Sequence, residues 1–165
     1  MAGGARVTTL RPAILGDEDD ILALMREFYL HERLVLDEPA ARRGLATLLA
    51  DPSLGRVWFV EGGGAPAGYM VVTLGFSLEF AGRFALLDEL YVREGFRRGG
   101  VGARAVEEAA AACAAWGVRS LRLEVAWENE GAQRLYRRLG FDAHDRHIMT
   151  RWLEGGERGM GNGER

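Results

Sequence analysis

The spacing of apolar residues divides the chain into short stretches of alternating and of helical period. Val7 to Arg11 alternates briefly and ends at Pro12, the pattern of an edge strand. Asp17 precedes Ile21, Leu24, Met25 and Phe28, a helical stripe with acidic residues in its first turn. A second helix is expected from near Pro39, where proline suits the first helical position, through Leu45, Leu48 and Leu49 to a stop at Asp51-Pro52. Arg56 to Glu61 and Gly68 to Thr73 read as strands flanking the turn Gly62-Gly63-Gly64-Ala65-Pro66. Phe84 to Val92 is the next strand. After an Arg/Gly turn, Val101, Ala105, Val106, Ala109, Cys113 and Trp116 share one face of a helix, while Arg104, Glu107 and Glu108 face water. Leu121 to Ala126 predicts a strand. Asn129 to Leu139 predicts a short helix with Ala132, Leu135, Tyr136 and Leu139 on one side, ended by Gly140. Phe141 to Leu153 is expected to hold two last short strands.

The resulting order, β-α-α-β-β-β-α-β-α-β-β, belongs to an α/β or α+β domain with a mixed sheet. The 165 residues suit one domain, assigned to residues 1–153, and the glycine-rich stretch 154–165 is expected to be a disordered tail.

Composition narrows the chemistry. A net charge of −3 provides no overall basic field, so nucleic acid and anionic membrane are not expected partners and any anion site must be local. The chain has no lysine, which excludes P-loop nucleotide binding and lysine Schiff-base chemistry. The one cysteine, Cys113, cannot form an intrachain disulfide and reads as a small core residue. No apolar run approaches the roughly 18 residues of a membrane span. Met1 to Arg11 lacks a signal-peptide apolar segment, and a soluble cytoplasmic protein is expected. Gly62, Gly64 and Ala67 fit a dinucleotide-binding glycine spacing, but the β-rich Tyr69-Met70-Val71-Val72 that follows is no helix, so the match is discounted. His144-x-x-His147 lies outside any helix and lacks companion ligands, and no metal is expected.

One junction calls for more than a connector. Arg97-Arg98-Gly99-Gly100-Val101-Gly102 joins a strand to a helix. A helix starting near Gly100 leaves its first amide N–H groups unpaired, with about half a positive charge from the helix dipole. Glycines let a ligand approach those amides, and arginine adds charge that engages phosphate. This is a recipe for holding a pyrophosphate.

The same residues resemble the Arg/Gln-x-x-Gly-x-Gly/Ala signature of the GNAT family of N-acetyltransferases, which use acetyl-coenzyme A. The context agrees, because the signature follows the strand Leu87-Asp88-Glu89-Leu90-Tyr91-Val92 and opens a helix. Asn129, Ala132, Tyr136, Gly140 and Phe141 are similar to the family's second motif, and Leu10-Arg11-Pro12-Ala13 looks like its first strand. The resemblance spans about residues 7–153. It implies the GNAT fold, a mixed, mostly antiparallel sheet of six to seven strands flanked by about four helices.

It also implies roles. The main chain of Leu90, Tyr91 and Val92 would pair with the pantetheine arm, and the pyrophosphate would sit on the turn from Arg97 and Arg98 through Gly99, Gly100, Val101, Gly102 and Ala103. Asn129 would contact the cofactor, cap its helix, or do both. Tyr136 would protonate the departing thiolate, uphill by about 2 kcal/mol for ordinary tyrosine and thiol pKa values. The acceptor would be a primary amine, a small cationic amine being favoured, that loses a proton at a cost of about 4–5 kcal/mol at neutral pH unless a base takes it. Asp88 and Glu89 are the candidates for that base; strand alternation would point them to opposite faces, so that only one meets the acceptor. Glu79, on the segment joining two central strands, stands behind them as a base and as an acceptor contact. Acceptor identity would reside around Phe28 to Ala40, with Tyr29 among its contacts and His31 at the surface. Direct transfer in a ternary complex is expected. A non-catalytic acyl-coenzyme A sensing domain of the same fold, or an enzyme acting on protein or peptide amines, is the alternative, and a homodimer is compatible with the family.

Overall fold

A computed structural model describes residues 7–153. Its elements in chain order are β1 (Thr8–Pro12), α1 (Glu18–His31), α2 (Glu38–Ala50), β2 (Gly55–Gly62), β3 (Ala65–Ser77), β4 (Gly82–Val92), the single turn α3 (Glu94–Arg97), α4 (Val101–Ala115), β5 (Ser120–Leu123) and α5 (Glu130–Arg138). The helix starts follow local chemistry. The Asp37 carboxylate accepts from the Ala40 N–H at 3.0 Å, with Pro39 in the first turn of α2. Asn129 caps α5 in the same way, its Oδ1 accepting from the Ala132 N–H at 3.1 Å.

The sheet order is β1-β2-β3-β4-β5, antiparallel across the first four strands and parallel between β4 and β5. Strand alternation sorts two cores onto its faces. Val57, Phe59, Tyr69 and Val71 pack under α1 and α2 with Ile21, Leu22, Leu24 and Met25. Trp58, Val60, Met70 and Val72 pack under α4 with Val101, Ala105, Val106, Ala109 and Cys113. Tyr136, Leu139 and Phe141, in and just after α5, pack at the margin of the second core.

This is the mixed, mostly antiparallel sheet that the sequence predicts, with five strands among the described residues instead of six or seven. The shortfall lies after α5, where Phe141 to Leu153 forms no strand. Its apolar residues Ile148, Met149, Trp152 and Leu153 do not alternate, and β-prone residues make a ladder only when another backbone pairs with them. A fifth helix is gained instead, the turn α3, too short to show a helical period. The expected tail at 154–165 lies outside the described residues.

Two features of the sheet create the site. β5 pairs only with Phe84 to Leu87, whereas β4 continues to Val92, paired with β3 alone. Among the described residues, the β5-side edge of β4 from Asp88 onward is therefore without a strand partner. In addition, β3 crosses β4 in close contact at Gly68, where a Cβ would lie 1.8 Å from the Tyr91 carbonyl oxygen; only glycine fits there.

Candidate active site

The open stretch of β4 begins with a β-bulge. Val71 of β3 stands opposite Glu89 and Val72 opposite Leu87, so Asp88 is the extra residue. The bulge resets alternation: Leu87 and Leu90 both pack toward α4 although three positions apart. Asp88 and Glu89 consequently share the face under α1 and α2. The expectation that they point to opposite faces is corrected by this one inserted residue.

Glu89 is half-buried and held from two elements. The Tyr29 hydroxyl of α1 donates to Glu89 Oε1 at 2.8 Å, and the Tyr69 hydroxyl of β3 donates to Oε2 at 2.6 Å. Burial, aided by the nearby Asp88 charge, pushes the Glu89 carboxyl above its ordinary value, against the opposing pull of the two tyrosine hydrogen bonds. Asp88 is exposed at the bulge, and the protein around it also raises its carboxyl. Burial first, and then the Glu89 charge, pushes the hydroxyls of Tyr29 and Tyr69 far up, so both remain donors at any working pH. Phe28 lies between these rings, its centroid 5.6 Å from Tyr29, 6.2 Å from Tyr69 and 5.6 Å from Tyr91. Glu89 thus holds a carboxylate at the edge of an aromatic cluster, and a negative charge beside half-buried Phe28 is a setting for a cation.

A second pair ties α1 to the end of β4. Arg93 donates to Glu27 through Nε at 2.9 Å and Nη2 at 2.7 Å, and to the Pro66 carbonyl at 3.1 Å, while the Tyr91 hydroxyl lies 3.4 Å from Glu27 Oε2. The Arg93 guanidinium holds the Glu27 carboxyl below its usual value.

The Arg/Gly turn follows the open end of β4 through α3. Gly100 adopts the left-handed conformation, φ 72°, immediately before α4, and no side chain among the described residues caps that helix. The first-turn amides of α4 are thus left without a side-chain acceptor, while the Arg104 guanidinium donates back to the Gly99 carbonyl at 2.6 Å. Arg97 behaves differently from the expectation that both arginines serve an anion. Its Nε donates to the Val92 carbonyl at 2.7 Å, its Nη1 meets His31 Nε2 at 3.1 Å, and its guanidinium lies 5.7 Å from the Tyr91 ring centre. The one-turn helix α3 folds this side chain back toward α1, which leaves Arg98 as the outward arginine.

Tyr136 approaches from α5 on the other face of the sheet. Half-buried, it packs edge-on to Phe141 at 5.6 Å, and its hydroxyl makes no hydrogen bond among the described residues. Burial raises that hydroxyl above its usual value, so it is protonated at neutral pH. Cys113 is 2% exposed in the core under α4, and burial raises its thiol, which suits packing and not attack on a thioester.

Glu79 is not brought to this group. It sits in the turn between β3 and β4, six or more β4 residues from Asp88 and Glu89 on the hairpin Ala65–Ser77/Gly82–Val92, and pairs with Arg146 at 2.9 and 3.1 Å. The hairpin is long, and its turn lies at the opposite end from the bulge. Tyr69 is the functional candidate that sequence reading passes over. Its signal is its place directly opposite Tyr91, two residues along β3 from the partner of Glu89, and this becomes visible only once the β3–β4 register is known.

The sequence matches the model of the acetyltransferase (GNAT) family over residues 18–141. No protein of curated function matches it. Among solved structures, an integron cassette protein from the mobile metagenome of Cole Harbour Salt Marsh is 35% identical, with 87% of this chain and 90% of that one covered and a TM-score of 0.77. A predicted acetyltransferase from Clostridium acetobutylicum, solved with acetyl-CoA, shares the fold at 14% identity, TM-score 0.73, covering 90% of this chain and 98% of that one. An aminoglycoside acetyltransferase from an uncultured soil metagenomic sample, solved with sisomicin, does so at 13% identity, TM-score 0.71, covering 88% and 95%. With three quarters of its length inside the family match, and with the open β4 edge leading into a glycine-rich helix start, this chain belongs to the acetyltransferase (GNAT) family.

Proposed function

We propose that the protein transfers an acetyl group from acetyl-coenzyme A to the primary amine of a small cationic acceptor, by direct attack with both substrates bound. The observation that carries this reading is the Glu89 carboxylate, held by two tyrosine hydroxyls beside the unpaired edge of β4. The residues fit the donor. The main chain of Leu90, Tyr91 and Val92 offers a strand edge for an amide-bearing arm, and Arg98, Gly99 and the amides of Val101, Gly102 and Ala103 offer N–H groups and charge for a pyrophosphate. Bound there, the donor supplies the thioester carbonyl that an amine attacks.

The protein's own groups divide the remaining tasks. Glu89 takes the proton of the incoming ammonium, directly or through a water; its raised pKa narrows the gap to the amine. Asp88, on the same face, adds negative potential that draws a cation inward. Half-buried Phe28 offers an aromatic face to the acceptor's stem, with the buried rings of Tyr29, Tyr69 and Tyr91 packed behind it. Tyr136 gives its proton to the leaving sulfur from the opposite face. Its raised pKa makes the transfer somewhat steeper than the about 2 kcal/mol between ordinary tyrosine and thiol. Asn129 serves as the helix cap of α5 and holds that tyrosine's helix in register. The aminoglycoside-bound relative supports a cationic amine as the acceptor class.

The test is calorimetric titration with acetyl-coenzyme A, run beside a coenzyme A release assay on polyamines, aminoglycosides, amino acids and short peptides. Saturable donor binding with turnover of a small amine supports the proposal. Donor binding without turnover of any amine points to a sensing domain, and turnover of peptides alone points to a protein substrate.

A further inference from the structure

The Arg/Gly turn is held from behind by a side chain to which the function proposed above gives no part. Helical period turns Arg104 toward water, yet the structure half-buries it against the edge strand β1. Its Nε donates to the Thr8 hydroxyl at 2.9 Å, and its Nη2 donates to the Gly99 carbonyl at 2.6 Å. Thr8 is 5% exposed, and a hydroxyl buried that far calls for a partner. One turn along α4, Glu108 accepts the Leu10 N–H of β1 at 3.1 Å. The helix thus grips β1 at two points four residues apart, and the Arg104 head is fixed between β1 and the turn.

These bonds decide how one peptide plane lies. A trans peptide directs its C=O and its N–H in opposite directions. With the Gly99 carbonyl drawn onto Arg104, the Gly100 N–H points away from the guanidinium. That N–H makes no hydrogen bond among the described residues. A Cβ at Gly100 would lie 3.4 Å from Arg104 Nη1, so the charged head backs directly onto the turn. A charged donor on a carbonyl polarises the peptide and strengthens the N–H at its other end. The plane needs such a hold. It lies between two glycines, where no Cβ opposes a flip, and a flip would turn the carbonyl toward an incoming anion.

We propose that Arg104 is a positioning residue for the pyrophosphate of the donor, an inference that rests on the acetyl-coenzyme A reading above. It sets the Gly99–Gly100 peptide so that the Gly100 N–H joins the amides of Val101, Gly102 and Ala103, and Thr8 holds Arg104 in that pose. Arg104 acts through the peptide, without touching the donor. Three arginines then divide the work at this junction: Arg97 returns to Val92 and His31, Arg98 faces outward, and Arg104 fixes the turn from behind.

Calorimetry and steady-state kinetics on the full chain test this, with acetyl-coenzyme A beside acetyl-pantetheine, a donor that keeps the thioester arm and lacks the pyrophosphate. Arg104→Met keeps the apolar stem and removes the N–H groups, and should weaken acetyl-coenzyme A binding about tenfold or more. The kcat at saturating acetyl-coenzyme A, and kcat/KM for acetyl-pantetheine, should stay within about threefold of the original. Thr8→Val removes only the hydroxyl that fixes Arg104. It should show the same selective loss to a smaller degree, and it decides the matter if Arg104→Met does not fold. Equal losses with both donors would make Arg104 a support of the fold alone and overturn the inference. Unchanged acetyl-coenzyme A affinity in the folded variants would also overturn it, and would leave the donor reading standing. No binding of acetyl-coenzyme A by the unmodified chain would overturn both.

Discussion

Replacing Glu89 by glutamine removes the charge from the site and keeps its shape. The hydroxyls of Tyr29 and Tyr69, 2.8 and 2.6 Å from the carboxylate oxygens, still find polar partners on an amide, so the variant should fold. What disappears is the proton acceptor. Stripping an alkylammonium costs about 4–5 kcal/mol at neutral pH, and a positioned base recovers about 10²–10⁴-fold in rate. The amine kcat/KM should therefore fall about 10²–10⁴-fold, while the acetyl-coenzyme A Kd changes less than about threefold. The pH profile carries a second signature. Burial, with help from Asp88, holds the Glu89 carboxyl above its ordinary value, so the acidic limb in the unmodified protein lies above that of an ordinary glutamate. In the glutamine variant that limb vanishes, and the rate rises about tenfold per pH unit with the free-amine fraction until the amine's own pKa. Initial rates of coenzyme A release at saturating donor, followed across pH, measure both. A variant within about threefold of the original rate, or one whose loss lies wholly in donor affinity, refutes Glu89 as the base.

The same burial has a stability consequence. A carboxyl whose folded-state pKa is raised binds its proton more tightly in the native state, so its stabilisation is fully present below the unfolded pKa and is lost as pH rises through the folded one. Chemical denaturation at neutral pH should thus find Glu89→Gln at least as stable as the original, and a large loss of stability would show the carboxylate to be a structural anchor. Tyr136→Phe should lower kcat about 10²-fold or more with little change in donor Kd; equal losses in both would remove it as the acid. At Gly102 an added Cβ meets only Val92 Cγ2 at an ordinary 3.7 Å, so Gly102→Ala should keep its melting temperature yet weaken donor binding, whereas Gly100→Val should lose stability through its φ of 72°. Normal donor affinity in Gly102→Ala would mean that no ligand approaches that amide. Cys113→Ala should leave turnover near the original, and a trapped acetyl-cysteine would overturn direct transfer.

What the sequence revealed was what neighbouring residues decide among themselves. Pro39 and Asn129 mark helix starts, Asn129 by a bond to the amide three residues on, and the Arg97–Gly102 turn announces itself by composition. The sheet pattern was readable because Val57 to Val60 and Tyr69 to Val72 alternate cleanly between two cores. The bulge at Asp88 was not. It depends on how β4 registers against β3, and no residue type at 87–89 signals an extra position. That single register step placed both carboxylates on one face and brought Tyr69, 20 residues away, onto Glu89. The place of Glu79 is hidden from the sequence for a related reason, since the length of a hairpin decides which end its turn occupies. The return of Arg97 onto Val92 and His31 arose from α3, one turn that no periodicity can show.

The most direct test of the account is mass-spectrometric identification of the product when acetyl-coenzyme A is supplied with the best small amine, for the unmodified chain and Glu89→Gln side by side. The account predicts one N-acetylated amine formed for each coenzyme A released, and a rate at neutral pH reduced about 10²–10⁴-fold in the variant. Coenzyme A released without acetylated amine, or equal product from both proteins, would contradict it.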